Sequence, residues 1–92
     1  MRTLQVTVTD AVGLHARPAA LFVKLCNQFA ASVHIRNVSD AGQWVNAKSI
    51  LSLLTAGVKQ NDLIEIKADG MDEDVALERL EALVSSDFAI EV

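Results

Sequence analysis

Apolar and polar residues alternate from residue 3 to residue 9, with Leu4, Val6 and Val8 on one side and Thr3, Gln5, Thr7 and Thr9 on the other. A period of two predicts a half-buried strand. Asp10-Ala11-Val12-Gly13 interrupts it, and the spacing then changes to three and four through Ala19, Phe22, Val23, Cys26, Phe29 and Ala30. That period predicts a helix over residues 17–29, with Lys24, Asn27 and Gln28 outside its apolar stripe. Val33 and Ile35 against His34 and Arg36 predict a second strand over 32–38. Ser39-Asp40-Ala41-Gly42 has the composition of a hairpin turn, leading to a short return strand at 43–45.

Ile50, Leu51, Leu53 and Leu54, closed by Gly57, predict a short second helix for which Asn46 and Ser49 are both suitable N-caps. Four large aliphatic side chains in five positions wrap too far round a helix to be buried on one face. Leu51 and Leu54 are therefore expected to be partly exposed, as a docking surface. Ile64, Ile66 and Ala68 opposite Glu65 and Lys67 predict a strand over 61–68. Asp72-Glu73-Asp74 suits a helix N-terminus, and Ala76, Leu80, Leu83 and Val84 form the stripe of that third helix. Phe88, Ile90 and Val92 alternate, so the tail is expected to pack along an edge.

The order β-α-β-β-α-β-α, with helices of one-sided polarity, implies an α+β fold. The expectation is an open-faced β-sandwich: a four-stranded antiparallel sheet with three helices on one face and water on the other. Ninety-two residues suffice for one core, so residues 1–92 are expected to form a single domain. A net charge of −4 without a basic run argues against nucleic acid and an anionic membrane surface as partners. No apolar run is long enough to span a bilayer, and the expected location is the cytoplasm. Cys26, the one cysteine, excludes an internal disulfide and reads as a buried small hydrophobe. No His or Cys accompanies the acids at 72–74, so no metal site and no cofactor is expected.

The candidate chemistry lies in Gly13-Leu14-His15-Ala16-Arg17-Pro18-Ala19. Pro18 lacks an N–H and suits the first turn of the helix that follows. His15 then sits at or beside the cap, where the free N–H groups of Ala16 and its neighbours and the positive end of the helix dipole favour an anion. Arg17 adds a planar fork of charged donors. A histidine carrying a phosphoryl group would find its phosphate-binding donors in place. His34, with no second ligand type nearby, reads as an outward strand residue.

The heptapeptide after an alternating strand, together with Asn46-Ala47-Lys48-Ser49-Ile50 and the leucines that follow, resembles HPr. HPr is the histidine-containing phosphocarrier of the bacterial phosphotransferase system, and the resemblance covers nearly the whole chain. It implies that His15 accepts a phosphoryl group from Enzyme I on Nδ1 and passes it to the IIA component of a sugar permease. It also implies that Ser49 is a regulatory serine, phosphorylated by an HPr kinase in bacteria that have one. Ala20, Lys24, Lys48, Leu51 and Leu54 would dock these partners, the carrier itself being a monomer and not an enzyme. Two departures stand out. About three extra residues separate the two signatures, most economically placed at 39–43, where added loop length costs little. A lysine common in the family near residues 27–28 is missing, which reduces the basic rim to Arg17, Lys24, Lys48 and Lys59. A regulatory relative acting in nitrogen or carbon control with the same histidine chemistry, and a small acylphosphatase-like enzyme, are the alternatives.

Overall fold

Strand β1 (Arg2–Thr7), β2 (Ser32–Asn37), β3 (Val45–Asn46) and β4 (Leu63–Asp69) form one antiparallel sheet in the order β1-β4-β2-β3. The computed structural model describes residues 1–92. β4 lies between strands that precede it, pairing Leu4 with Ile66 and Val6 with Ile64 on one side. On its other side Ile35 pairs with Ile66 and Val33 with Ala68. These registers put the apolar positions of the four strands on one face, Leu63 at the start of β4 excepted, and helices α1 (Ala16–Cys26), α2 (Ile50–Leu54) and α3 (Glu73–Ser85) cover it. Phe22, Leu53, Ile64, Ile66, Leu80 and Leu83 are fully buried between the layers. Truncating Phe22 to alanine removes contacts that cost about 3–5 kcal/mol in comparable cores. Thr3, Gln5, Thr7, His34, Arg36, Glu65 and Lys67 occupy the opposite, open face, as the alternation requires. The α+β open-faced sandwich is the fold of the chain.

Several boundaries differ from the periodic pattern, each for a local reason. α1 stops at Cys26 instead of 29: past it the Gln28 and Phe29 amides turn to i−3 acceptors, Leu25 O and Cys26 O, and side chains add to the hold on the segment. Asn27 Nδ2 donates to Val23 O and Lys48 O. The Lys48 ammonium donates to Phe29 O at 2.7 Å, and the Asp72 carboxylate accepts the amides of Ala30 and Ala31, each at 2.8 Å. Asp72 is thus a tether between α1 and α3; its side chain does not cap α3. Those two amide donors hold its carboxyl below the ordinary aspartate value.

The hairpin carries a 3₁₀ turn at Val38–Asp40 and only two residues of β3. Trp44, just before β3, stacks with Lys67 Nζ 4.2 Å and the Arg36 guanidinium 5.3 Å from its ring centroid. β4 begins at Leu63 because Asp62 folds the preceding residues into a turn, with Asn61 left-handed at φ 72°.

The tail does not run along an edge. The Phe88 N–H donates to Leu83 O and the Asp87 N–H to Val84 O, a Schellman closure of α3 with Asp87 and Phe88 at φ 55° and 61°. Phe88 is driven into the core, while Ile90 remains exposed.

Candidate functional site

The approach to His15 is built by bonds on both sides of Gly13. Asp10 Oδ1 accepts the Val12 amide and Asp10 O the Gly13 amide, each at 3.0 Å, which turns the chain after β1. Gly13 has φ +67°, and a Cβ there would lie 2.3 Å from Val58 O and 2.8 Å from Lys59 Cα. Only glycine allows this approach of two backbones. Leu14 is buried and donates its amide to Val58 O at 3.1 Å, anchoring the turn immediately before the histidine.

His15 is the N-cap of α1, with an extended backbone (φ −132°, ψ 165°), an exposed ring and no capping bond from its side chain. Ala16 is left-handed at φ 50°, a conformation that costs a non-glycine residue roughly 1–2 kcal/mol. No backbone acceptor meets the amides of Ala16 and Arg17, and the Ala19 amide reaches His15 O only at 3.5 Å. With Pro18 lacking a donor, the first turn of α1 presents its two free N–H groups and its positive dipole end to solvent beside the imidazole. An open helix end of this kind favours an anion, and here an exposed imidazole stands at its rim.

The predicted residues divide into groups. His15, Ala16 and Arg17 come together as expected, but Arg17 Nη1 donates to Phe88 O at 3.0 Å, so the guanidinium also secures the C-terminal segment. Thr9 Oγ1 donates to the Asp87 carboxylate and adds a second link to that segment. Ala20 and Lys24 are exposed on α1. Lys48 points inward to the end of α1, and its ammonium is not part of an outward basic rim.

Ser49 is the N-cap of α2, its hydroxyl accepting the Ser52 amide at 3.3 Å. Asn46, the other candidate cap, instead accepts the Lys48 amide. Leu51 is 76% exposed, Ile50 40% and Leu54 38%, while Leu53 alone is buried, so α2 presents an apolar patch that includes Ile50. α2 packs against α1, which brings this patch to the same side of the molecule as the histidine helix.

Two contributors escaped the sequence reading. The Phe88 carbonyl meets Arg17 across 71 residues, and Asp62 holds the Lys59 amide in the α2–β4 connection, next to the Val58 carbonyl that accepts the Leu14 amide. Neither has a local signal: the alternation placed Asn61 and Asp62 within the strand over 61–68, and Phe88 in a tail along an edge.

Comparison with known proteins agrees with this geometry. A family model described as the PTS HPr component phosphorylation site matches residues 3–86. Phosphocarrier protein HPr of Mycoplasma pneumoniae is 44% identical over 84 residues, covering 91% of this chain and 93% of its own. An HPr crystal structure from Thermoanaerobacter tengcongensis has TM-score 0.91 at 35% identity over 100% of both chains. Crh, the catabolite repression containing protein of Bacillus subtilis, solved as a swapped, intertwined dimer, has TM-score 0.73 at 39% identity, covering 98% of this chain and 100% of its own. A histidine at an open helix end, a family model spanning both signatures and relatives matched over almost their full length lead to one assignment: the chain belongs to the HPr family of the phosphotransferase system, and is a phosphocarrier and not an enzyme.

Proposed function

We propose that His15 accepts a phosphoryl group on Nδ1 from phosphorylated Enzyme I and passes it to IIA components in the service of sugar uptake. The observation that supports this most directly is the open first turn of α1, where the amides of Ala16 and Arg17 have no backbone acceptor beside an exposed imidazole. In the transfer the ring nitrogen forms the bond to phosphorus as the bond to the donor breaks. Charge spreads over three phosphoryl oxygens, which the two amides and the Arg17 guanidinium receive. Arg17 exchanges Phe88 O for a phosphoryl oxygen during this step.

The patch of Leu51 and Leu54, with Ala20 and Lys24 on α1, supplies the docking surface. A phosphate on Ser49 would sit at a helix N-terminus, where negative charge is favourable, so its effect falls on docking and not on the fold. The carrier acts as a cytoplasmic monomer; no helix is long and apolar enough to cross a membrane.

Enzyme I with phosphoenolpyruvate is expected to add one acid-labile phosphate, lost in His15→Ala. Full labelling of His15→Ala would sink the proposal. A regulatory role is the second reading, favoured by the likeness to Crh. Failure of the phosphorylated protein to pass its group to any IIA protein would support it. The acylphosphatase-like alternative falls with family membership.

A further inference from the structure

We propose that Asp62 is a positioning residue for His15, acting through the peptide group that joins Val58 to Lys59. The inference rests on the reading of His15 as the phosphoryl acceptor and extends it to a residue outside both signatures. Both ends of that peptide are bonded. Its carbonyl accepts the Leu14 amide at 3.1 Å, and its N–H donates to Asp62 Oδ2 at 2.9 Å. The same carboxylate oxygen accepts Asn37 Nδ2 at 2.9 Å from the end of β2. Asn37 is buried, so this donor comes from a fixed point of the sheet.

The bonds form a continuous line: Asn37 amide, Asp62 carboxylate, Val58–Lys59 peptide, Leu14 amide, with His15 as the next residue. Hydrogen bonds in series polarise one another, and a peptide held at both ends has a fixed plane. That plane is also the surface against which Gly13 is pressed, since a Cβ at residue 13 would strike Val58 O and Lys59 Cα. Further bonds lock the turn to the chain leaving β1: Val8 N–H to Asp62 O at 2.9 Å, Asn61 N–H to Val8 O at 2.6 Å, and Gln60 Nε2 to Thr9 O at 3.3 Å. The turn at 58–62 therefore grips the chain on both sides of the 10–13 bend. Asp62 is the one side chain that sets the orientation of the gripping peptide. If that peptide rotates, Leu14 loses its acceptor and the His15 ring shifts relative to the free amides of Ala16 and Arg17. A displacement of about 1 Å in a group-transfer site can cost on the order of 100-fold in rate.

The test compares Asp62→Ala, Asp62→Asn and Asp62→Glu with the wild type and with Ile66→Val, a core change on β4 remote from the site. Phosphoryl transfer from Enzyme I and phosphoenolpyruvate is followed below all melting temperatures. Alongside it, the Leu14 amide and His15 ring resonances are recorded without phosphate. Asp62→Ala is expected to slow transfer on the order of 10–100-fold, move both resonances and shorten the protection of the Leu14 amide from exchange. Asp62→Asn keeps an acceptor for the Lys59 N–H and is expected to restore most of the rate. Asp62→Glu, folded but with its carboxylate one methylene further out, is expected to stay slow, which keeps the idea testable should the alanine variant not fold. Wild-type transfer with unmoved resonances in folded Asp62→Ala or Asp62→Glu overturns the proposal, as does equal slowing in Ile66→Val. A wild type that takes no phosphate overturns the reading of His15 instead, and the resonances still decide the positioning role.

Discussion

The N-termini of α1 and α2 are made of the same backbone and finished in opposite ways. At α2 the Ser49 hydroxyl accepts the Ser52 amide, so the end is closed by its own side chain. At α1 the capping position holds a histidine whose ring makes no such bond, and the next residue is left-handed. A serine cap stabilises a helix end by about 1 kcal/mol. The histidine forgoes that gain, and the orphan amides of Ala16 and Arg17 remain available to a ligand. Stability at one helix end and availability at the other are thus set by a single side chain at each.

The comparison breaks most severely at Gly13. Gly13→Ala places a methyl against Val58 O in a left-handed conformation, and destabilisation of about 3 kcal/mol is expected from chemical denaturation. Transfer to His15 should fall with it, and a variant of unchanged stability would show that the turn has another way to form. Next comes Arg17→Ala, which removes the proposed donor to the phosphoryl group and a bond to Phe88 O. Transfer should slow by on the order of 100-fold, with a stability loss of about 1 kcal/mol read from the melting curve. A rate equal to wild type would leave Arg17 as a tail anchor alone.

Ser49 sharpens the contrast. Ser49→Ala should cost about 1 kcal/mol by removing the cap, with transfer unchanged. Ser49→Asp should keep the melting temperature and weaken transfer by opposing docking at the Leu51 patch. Altered stability with unchanged transfer in Ser49→Asp would make Ser49 a cap and nothing more.

The smallest effect belongs to pH. The amides of Ala30 and Ala31 lower the Asp72 carboxyl, and the Lys59 amide, then Asn37, lower that of Asp62. Each folded value lies below the unfolded one, so the contribution is complete above the ordinary aspartate value and lost as pH falls through the lower folded value. Melting temperature should decline in that acid window, and Asp72→Asn should flatten part of the slope. An unchanged slope would remove Asp72 from the account.

The sheet, its wet face and the histidine turn were legible because each is written in local spacing. Alternation places Leu4, Val6, Ile64 and Ile66, and a proline after His-Ala-Arg marks a helix start. What was not legible depends on side chains reaching across the fold. Nothing near Asn27 shows that Lys48 and Asp72 will hold the segment after α1, and nothing near Asp87 shows a Schellman closure without glycine. The inward turn of Lys48 and the contact of Arg17 with Phe88 are tertiary in the same sense. Charge and periodicity marked these residues as polar without indicating which carbonyl they would meet.

Cys26 offers a chemical clock on the helix that carries the histidine. It is the sole thiol, fully covered on the last turn of α1, and burial pushes it up to about 12. A thiolate-directed reagent reacts only when that turn lifts from the sheet, because the closed form offers neither access nor ionised sulfur. With reagent in excess, the modification rate therefore counts openings of α1, and comparing it before and after loading His15 with phosphate measures how far the charge at one end of the helix is felt at the other.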